Sequence, residues 1–229
     1  MDGGPVEERA LPVLPERKSS RPVRRSGGLL QGPDRVHSRR GRWPFLNRPS
    51  QRPCVPLPRL AGQVTLRRLA PEDLATFQAY RRDPELGRYQ GWTPMPDAEA
   101  RAFLAQMHAA GPLHPGAWFQ LGIADGQSLQ LIGDIGLLLS ADGSSVEIGY
   151  TLARSAQGRG LATLAVREAV ALVFECSVAS QVLATTDARN HASIRLLERI
   201  GMQRVEESTA LFRGEPCVEI TYAIAKTDT

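Results

Sequence analysis

Six consecutive residues, Gln157, Gly158, Arg159, Gly160, Leu161 and Ala162, have the composition of a phosphate-binding turn. Glu147-Ile-Gly-Tyr-Thr-Leu152 runs into them with strand-favouring residues, and good helix formers follow over 161–175. A helix that opens directly from such a turn leaves its first amides without intrahelical partners, and its macrodipole adds partial positive charge at the same end. That is a place for an anion. Gly158 and Gly160 carry no Cβ to hold phosphate oxygens away from the backbone. Two common phosphate loops are excluded. A dinucleotide fingerprint needs a third glycine where Thr163 stands, and a Walker loop needs Gly-Lys-Ser/Thr, which is absent. On the glycines alone, a phosphate site and a plain tight turn are evenly matched.

The elements that position this turn can be read from periodicity. Strand signals cover residues 64–69, 117–124, 129–139, 146–152, 182–186, 203–212 and 217–224, the last with Val218, Ile220, Tyr222 and Ile224 alternating. Four helices are predicted. One runs over 71–82, opened by Pro71 with Glu72 and Asp73 in its first turn. One runs over 98–110, capped by Asp97 and striped by Phe103, Leu104 and Met107. The others run over 161–175 and 192–200, the latter stopped by Gly201. Turns fall at Asp125-Gly126, Asp142-Gly143 and Arg213-Gly214-Glu215. The order gives an α/β (α+β) domain on a mixed sheet.

The first 60 residues differ from the rest. They hold 13 Lys/Arg against 5 Asp/Glu, whereas residues 61–229 hold 15 against 19, within a chain of net charge +4. Prolines such as Pro53, Pro56 and Pro58 interrupt them, and no helical or strand period is sustained. The expected organisation is a basic, disordered leader over 1–60 and one domain over 61–229. Arg24, Arg25, Arg39 and Arg40 could attract nucleic acid, but a charge run without interleaved aromatics favours a solvated leader. No stretch is apolar enough to cross a membrane. Cys54, Cys176 and Cys217 show no zinc or redox spacing, and His108 and His114 no metal spacing, so no metal is expected and a reduced, cytoplasmic setting is the simplest reading.

The turn, with Glu147-Ile-Gly-Tyr-Thr-Leu before it and Asn190-His-Ala-Ser193-Ile-Arg-Leu-Leu-Glu198-Arg-Ile-Gly201-Met202 after it, resembles the GNAT N-acyltransferases. Gln157-Gly-Arg-Gly160-Leu-Ala162 is similar to their Arg/Gln-x-x-Gly-x-Gly/Ala signature, and together these motifs resemble the branch that contains the ribosomal-protein alanine N-acetyltransferases (RimJ/RimL-like). The resemblance spans about residues 64–225. It implies a mostly antiparallel seven-stranded sheet, splayed between strands 4 and 5 and flanked by about four helices. It implies acetyl-CoA as cosubstrate and an amine acceptor, with a protein N-terminus or a small amine (antibiotic or polyamine) as candidates, on a monomer or homodimer. A non-catalytic CoA-binding sensor is the rival class.

By that resemblance the turn Gln157, Gly158, Arg159, Gly160, Leu161, Ala162 and Thr163 binds CoA, with the amides of about residues 158–162 holding the pyrophosphate. The splayed strand, Ile148, Tyr150, Thr151 and Leu152, pairs with the pantetheine arm, and an N–H at about Thr151 or Leu152 meets the thioester oxygen. Asn190 and Ser193 face the arm and the sulfur; equally, each can serve only the start of a helix. Glu147, near the end of the splayed strand, is the candidate general base, against a reading as a solvent-facing strand carboxylate. The hairpin carboxylate expected of the ribosomal-protein enzymes is missing, since Ala210 and Leu211 stand there. Trp92 and Tyr89, with Trp118, fall where the family builds its acceptor pocket.

Overall fold

The computed structural model describes residues 57–227 except Pro112, so most of the expected leader lies outside the described residues. The strands are β1 (Arg59–Ala61), β2 (Val64–Arg68), β3 (Trp118–Asp125), β4 (Leu131–Leu139), β5 (Ser145–Leu152), β6 (Gln181–Asp187), β7 (Gln203–Phe212) and β8 (Glu215–Ala225). The helices are α1 (Leu74–Arg81), α2 (Pro84–Gly87), α3 (Asp97–Ala109), α4 (Leu161–Cys176) and α5 (His191–Arg199). Eight strands form one sheet in the order β1-β2-β3-β4-β5-β6-β8-β7, antiparallel throughout except for β5 and β6.

The expected class holds, with three corrections. β1 is an eighth strand, and it straddles the expected boundary at residue 61. Leu57 packs on the core just before it, while Arg59 reaches α4 to pair with Glu168 and Glu175. A fifth helix, the single turn α2, starts at Pro84 under an N-cap from Asp83. Asp97 is the first residue of α3 instead of its cap, and its carboxylate accepts from Gln78 and Arg82.

Two apolar layers flank the sheet. On one face, α4 and α5 bury Leu161, Ala165, Val166, Val173, Leu196 and Leu197 against Val146, Ile148, Val182 and Ile220. On the other, α1 and α3 bury Phe77, Tyr80, Leu104 and Met107 against Leu69 and Leu131. A buried polar knot is set into this second face. Asp134 accepts from Tyr80, from Gln120 and, with both oxygens, from Arg81 at 2.8 and 2.9 Å. Burial pushes the Tyr80 hydroxyl well above its ordinary pKa. Of the cysteines, Cys217 is buried and in no disulfide, while Cys176 ends α4 in a disulfide.

Candidate active site

The site starts where two strands part. β5 pairs with β6 at Ser145, Val146 and Glu147, opposite Gln181, Val182 and Leu183. The ladder stops there, yet β5 remains paired with β4 as far as Leu152. A slit therefore opens between β5 and β6 beyond Glu147.

The register decides which groups of β5 face that slit. Ser140 N donates to Ser145 O and Ala153 N to Ile132 O, with an unbroken antiparallel register between. Residues of odd number in β5 thus turn their N–H and C=O toward β4, and Ile148, Tyr150 and Leu152 turn theirs the other way. Ser144, also even, accepts from Ser180 beside β6, which agrees. Thr151 is therefore not on the open edge, as its backbone faces β4 and its hydroxyl accepts from Trp92 Nε1 at 3.3 Å. Of the two expected N–H donors, only that of Leu152 points into the slit. Two carbonyls on this edge are already engaged: Tyr150 O by Gln90 Nε2 at 3.1 Å and Leu152 O by Gln157 Nε2 at 2.9 Å.

The chain then makes a 3-10 turn, Arg154–Ala156, and reaches the glycines. Arg154 pairs with Asp83, whose carboxyl it holds down at about 2. Gly158 and Gly160 have φ of +76° and +77°, and a Cβ on either would meet nothing within 4 Å. Gly160 caps α4 in the left-handed conformation, which glycine adopts without penalty. Among the described residues, the amides of Gly158, Arg159, Gly160, Leu161, Ala162 and Thr163 have no hydrogen-bond acceptor, apart from any bond Thr163 makes within α4. An open cradle of amides at the start of a 16-residue helix fits a pyrophosphate.

The two faces of β5 carry different chemistry. Tyr150 points toward α5, where its hydroxyl lies 2.8 Å from Ser193 Oγ. Burial pushes the Tyr150 hydroxyl up to about 12, with Ser193 opposing, so it stays protonated at neutral pH. Ser193 sits there because Asn190 caps α5, its side chain accepting from the Ser193 amide at 3.2 Å. On the opposite face stand Glu147, Gly149 and Thr151. Gly149 lies across from Gly136, and a Cβ on Gly149 would have open space. At Gly136 the space is filled by the Trp118 ring, about 3 Å from where a Cβ would be. The glycine pair was the signal for this floor, because a glycine inside a strand marks close approach.

Trp92 is buried at 6% exposure, with Arg81 4.6 Å from its ring. It is thus a packed anchor on the Glu147 face. Tyr89 is half-buried in the same loop, under the guanidinium of Arg88. Two further residues of this region, Gln90 and Arg213, carried no sequence signal. The hairpin place of the missing carboxylate is Ala210 and exposed Leu211 in β7, paired with Cys217 and Pro216. No group of three or more His, Cys, Asp or Glu able to hold a metal occurs among the described residues, and no helix there is long and apolar enough to cross a membrane.

Comparison with known proteins agrees with this architecture. A family model described as an acetyltransferase (GNAT) domain matches residues 63–203. An uncharacterized N-acetyltransferase, p20, of Bacillus licheniformis is 28% identical over 143 residues, covering 62% of this chain and 80% of that protein. A GNAT-family acetyltransferase from Bacillus anthracis superposes with a TM-score of 0.64 at 20% identity, covering 72% of this chain and 96% of the other. Spermidine N-acetyltransferase from Vibrio cholerae, solved with CoA and spermine, gives a TM-score of 0.61 at 20% identity, covering 71% and 95%. With the slit, the amide cradle and the family model falling on one stretch of chain, this protein belongs to the GNAT family of N-acetyltransferases.

Proposed function

We propose that this protein moves an acetyl group from acetyl-CoA directly to a primary amine, with the α-amine of a protein N-terminus as acceptor, as in the RimJ/RimL-like branch. What supports direct transfer is the slit, with Glu147 on one face of β5 and the Tyr150–Ser193 pair on the other. The amides of residues 158–163 hold the pyrophosphate, and the open edge of β5 holds the arm, with Leu152 N–H aimed at the thioester oxygen. Acetyl-CoA supplies the activated acyl group. The amine nitrogen bonds to the carbonyl carbon, and the carbon–sulfur bond breaks.

Glu147, on the face with open space over Gly149, takes the proton that the amine loses. An α-amine titrates near 7.7–8.0, so at neutral pH part of it is already uncharged and a carboxylate suffices. On the α5 face, Tyr150 and Ser193 donate to the departing sulfur. Base and donor do not neutralise one another, because the sheet lies between them.

The test is a screen for thiol release from acetyl-CoA, with an alanine-initiated peptide, spermidine and propylamine side by side. The peptide should turn over fastest. Turnover of spermidine alone would move the acceptor to polyamines, and CoA binding without any turnover would leave a sensor.

A further inference from the structure

The wide end of the slit is bridged by a contact between its two halves. Arg213 sits at the tip of the β7–β8 hairpin, in the half-sheet β6-β8-β7. Its Nη2 donates to the carbonyls of Gln90 at 3.1 Å and Trp92 at 2.9 Å. The loop carrying those carbonyls belongs to the other half, fixed to β5 by Gln90 on Tyr150 O and by Trp92 on Thr151. The strands separate at Glu147 and Leu183, and Arg213 rejoins them at the far end.

The turn itself is a second, independent observation. Phe212 pairs with Glu215, so the loop is the two residues Arg213 and Gly214, with φ of +54° and +85°. This is the type I′ hairpin geometry, which prefers Asn-Gly because a side chain other than Asn or Asp is strained there. Such strain points to function where the side chain has a task that the preferred residue cannot perform. Asn would ease the turn but could not reach both carbonyls.

We propose that Arg213 is a positioning residue for the amine acceptor. Its guanidinium clasps loop 88–96 across the slit, so that the reacting carbon lies inside a closed ring and the acceptor enters over a rim fixed by Gln90 and Trp92. The proposal rests on the direct-transfer reading above. It assigns Arg213 no contact with the pyrophosphate cradle, so CoA affinity is independent of it.

The test compares Arg213→Asn, which suits the turn and removes the clasp, with Arg213→Lys, which keeps a cationic donor. Hydrogen exchange of peptides spanning 88–96 should accelerate at least tenfold in the Asn variant, with Lys intermediate. With acetyl-CoA and the same three amines, KM for the acceptor should rise about tenfold in Arg213→Asn, with kcat within threefold and CoA affinity unchanged by calorimetry. The thermal midpoint should not fall. Wild-type exchange and KM in Arg213→Asn would overturn the proposal, as would parallel losses in CoA affinity and midpoint. Wild-type protein inactive toward all three amines would overturn direct transfer and the acceptor role with it. The exchange measurement would then still decide whether the clasp exists.

Discussion

At the scale of single residues, the proton path rests on Glu147, Tyr150 and Ser193. If Glu147 accepts the amine proton, its loss matters most where few acceptor amines are neutral. Glu147→Gln should therefore lower kcat/KM at pH 6.5 by roughly 10²-fold or more, and by clearly less at pH 9. An unchanged pH profile would return Glu147 to an ordinary strand carboxylate. Tyr150→Phe should lower kcat at all these pH values, because a hydroxyl titrating near 12 is protonated in all of them. Its raised pKa also predicts a stability signature. The folded state holds the Tyr150 proton more tightly than the unfolded chain, so stability is full below pH 10 and falls as pH rises toward 12. Denaturant midpoints of wild type and Tyr150→Phe should converge over that window. The sequence named Glu147, Tyr150 and Ser193, but not the Tyr150–Ser193 contact or the exclusion of Thr151 from the edge. Those depend on register, which a one-residue slip would reverse.

At the scale of elements, the turn before α4 was the most legible feature, because glycine spacing and a helix start are both local. Gly160 stands at φ +77° with open space around it, so Gly160→Glu adds left-handed strain of about 1–2 kcal/mol and an anionic side chain in the cradle. Calorimetry should show CoA binding weakened well over tenfold, while circular dichroism shows the fold retained. Unaltered affinity would remove the cradle. The central strands were legible through alternation, but β1 and α2 were not. Three residues among prolines, Arg59–Ala61, are too few to show a period, and a single turn at Pro84–Gly87 is shorter than helical periodicity can register. The clasp was invisible for another reason: Gln90 and Arg213 lie 123 residues apart, and nothing local ties them.

At the scale of the whole molecule, the question is where the folded domain begins. The reading of composition placed the leader at residues 1–60, and we propose that residues 1–56 are dispensable for folding and CoA binding. The structure makes the next few residues different. Leu57 packs on the core, β1 adds three rungs to β2, and Arg59 joins both Glu168 and Glu175 of α4. The Arg59 side chain is 12% exposed and that of Glu168 22%, so the bond between them is screened less than a surface pair. The bonds to Glu175, 42% exposed, lie at the surface. Together they hold the sheet edge to the helix that starts at the cradle. Hydrogen bonds to charged groups contribute about 1.5–3 kcal/mol each, so losing this anchor should cost at least ~2 kcal/mol. In a domain of this size that lowers the thermal midpoint by roughly 4–8 °C. Two truncated chains separate the readings, both measured with a thiol reductant so that the disulfide at Cys176 is open throughout. A chain beginning at Leu57 should match the full-length midpoint and CoA affinity. One beginning at Gln63 should melt several degrees lower, with CoA affinity reduced less than stability, since the cradle residues themselves remain. If the Gln63 chain melts with the full-length protein, β1 is an ornament of the edge. If the Leu57 chain is already destabilised, residues before 57 belong to the folded domain and the boundary moves toward the N-terminus.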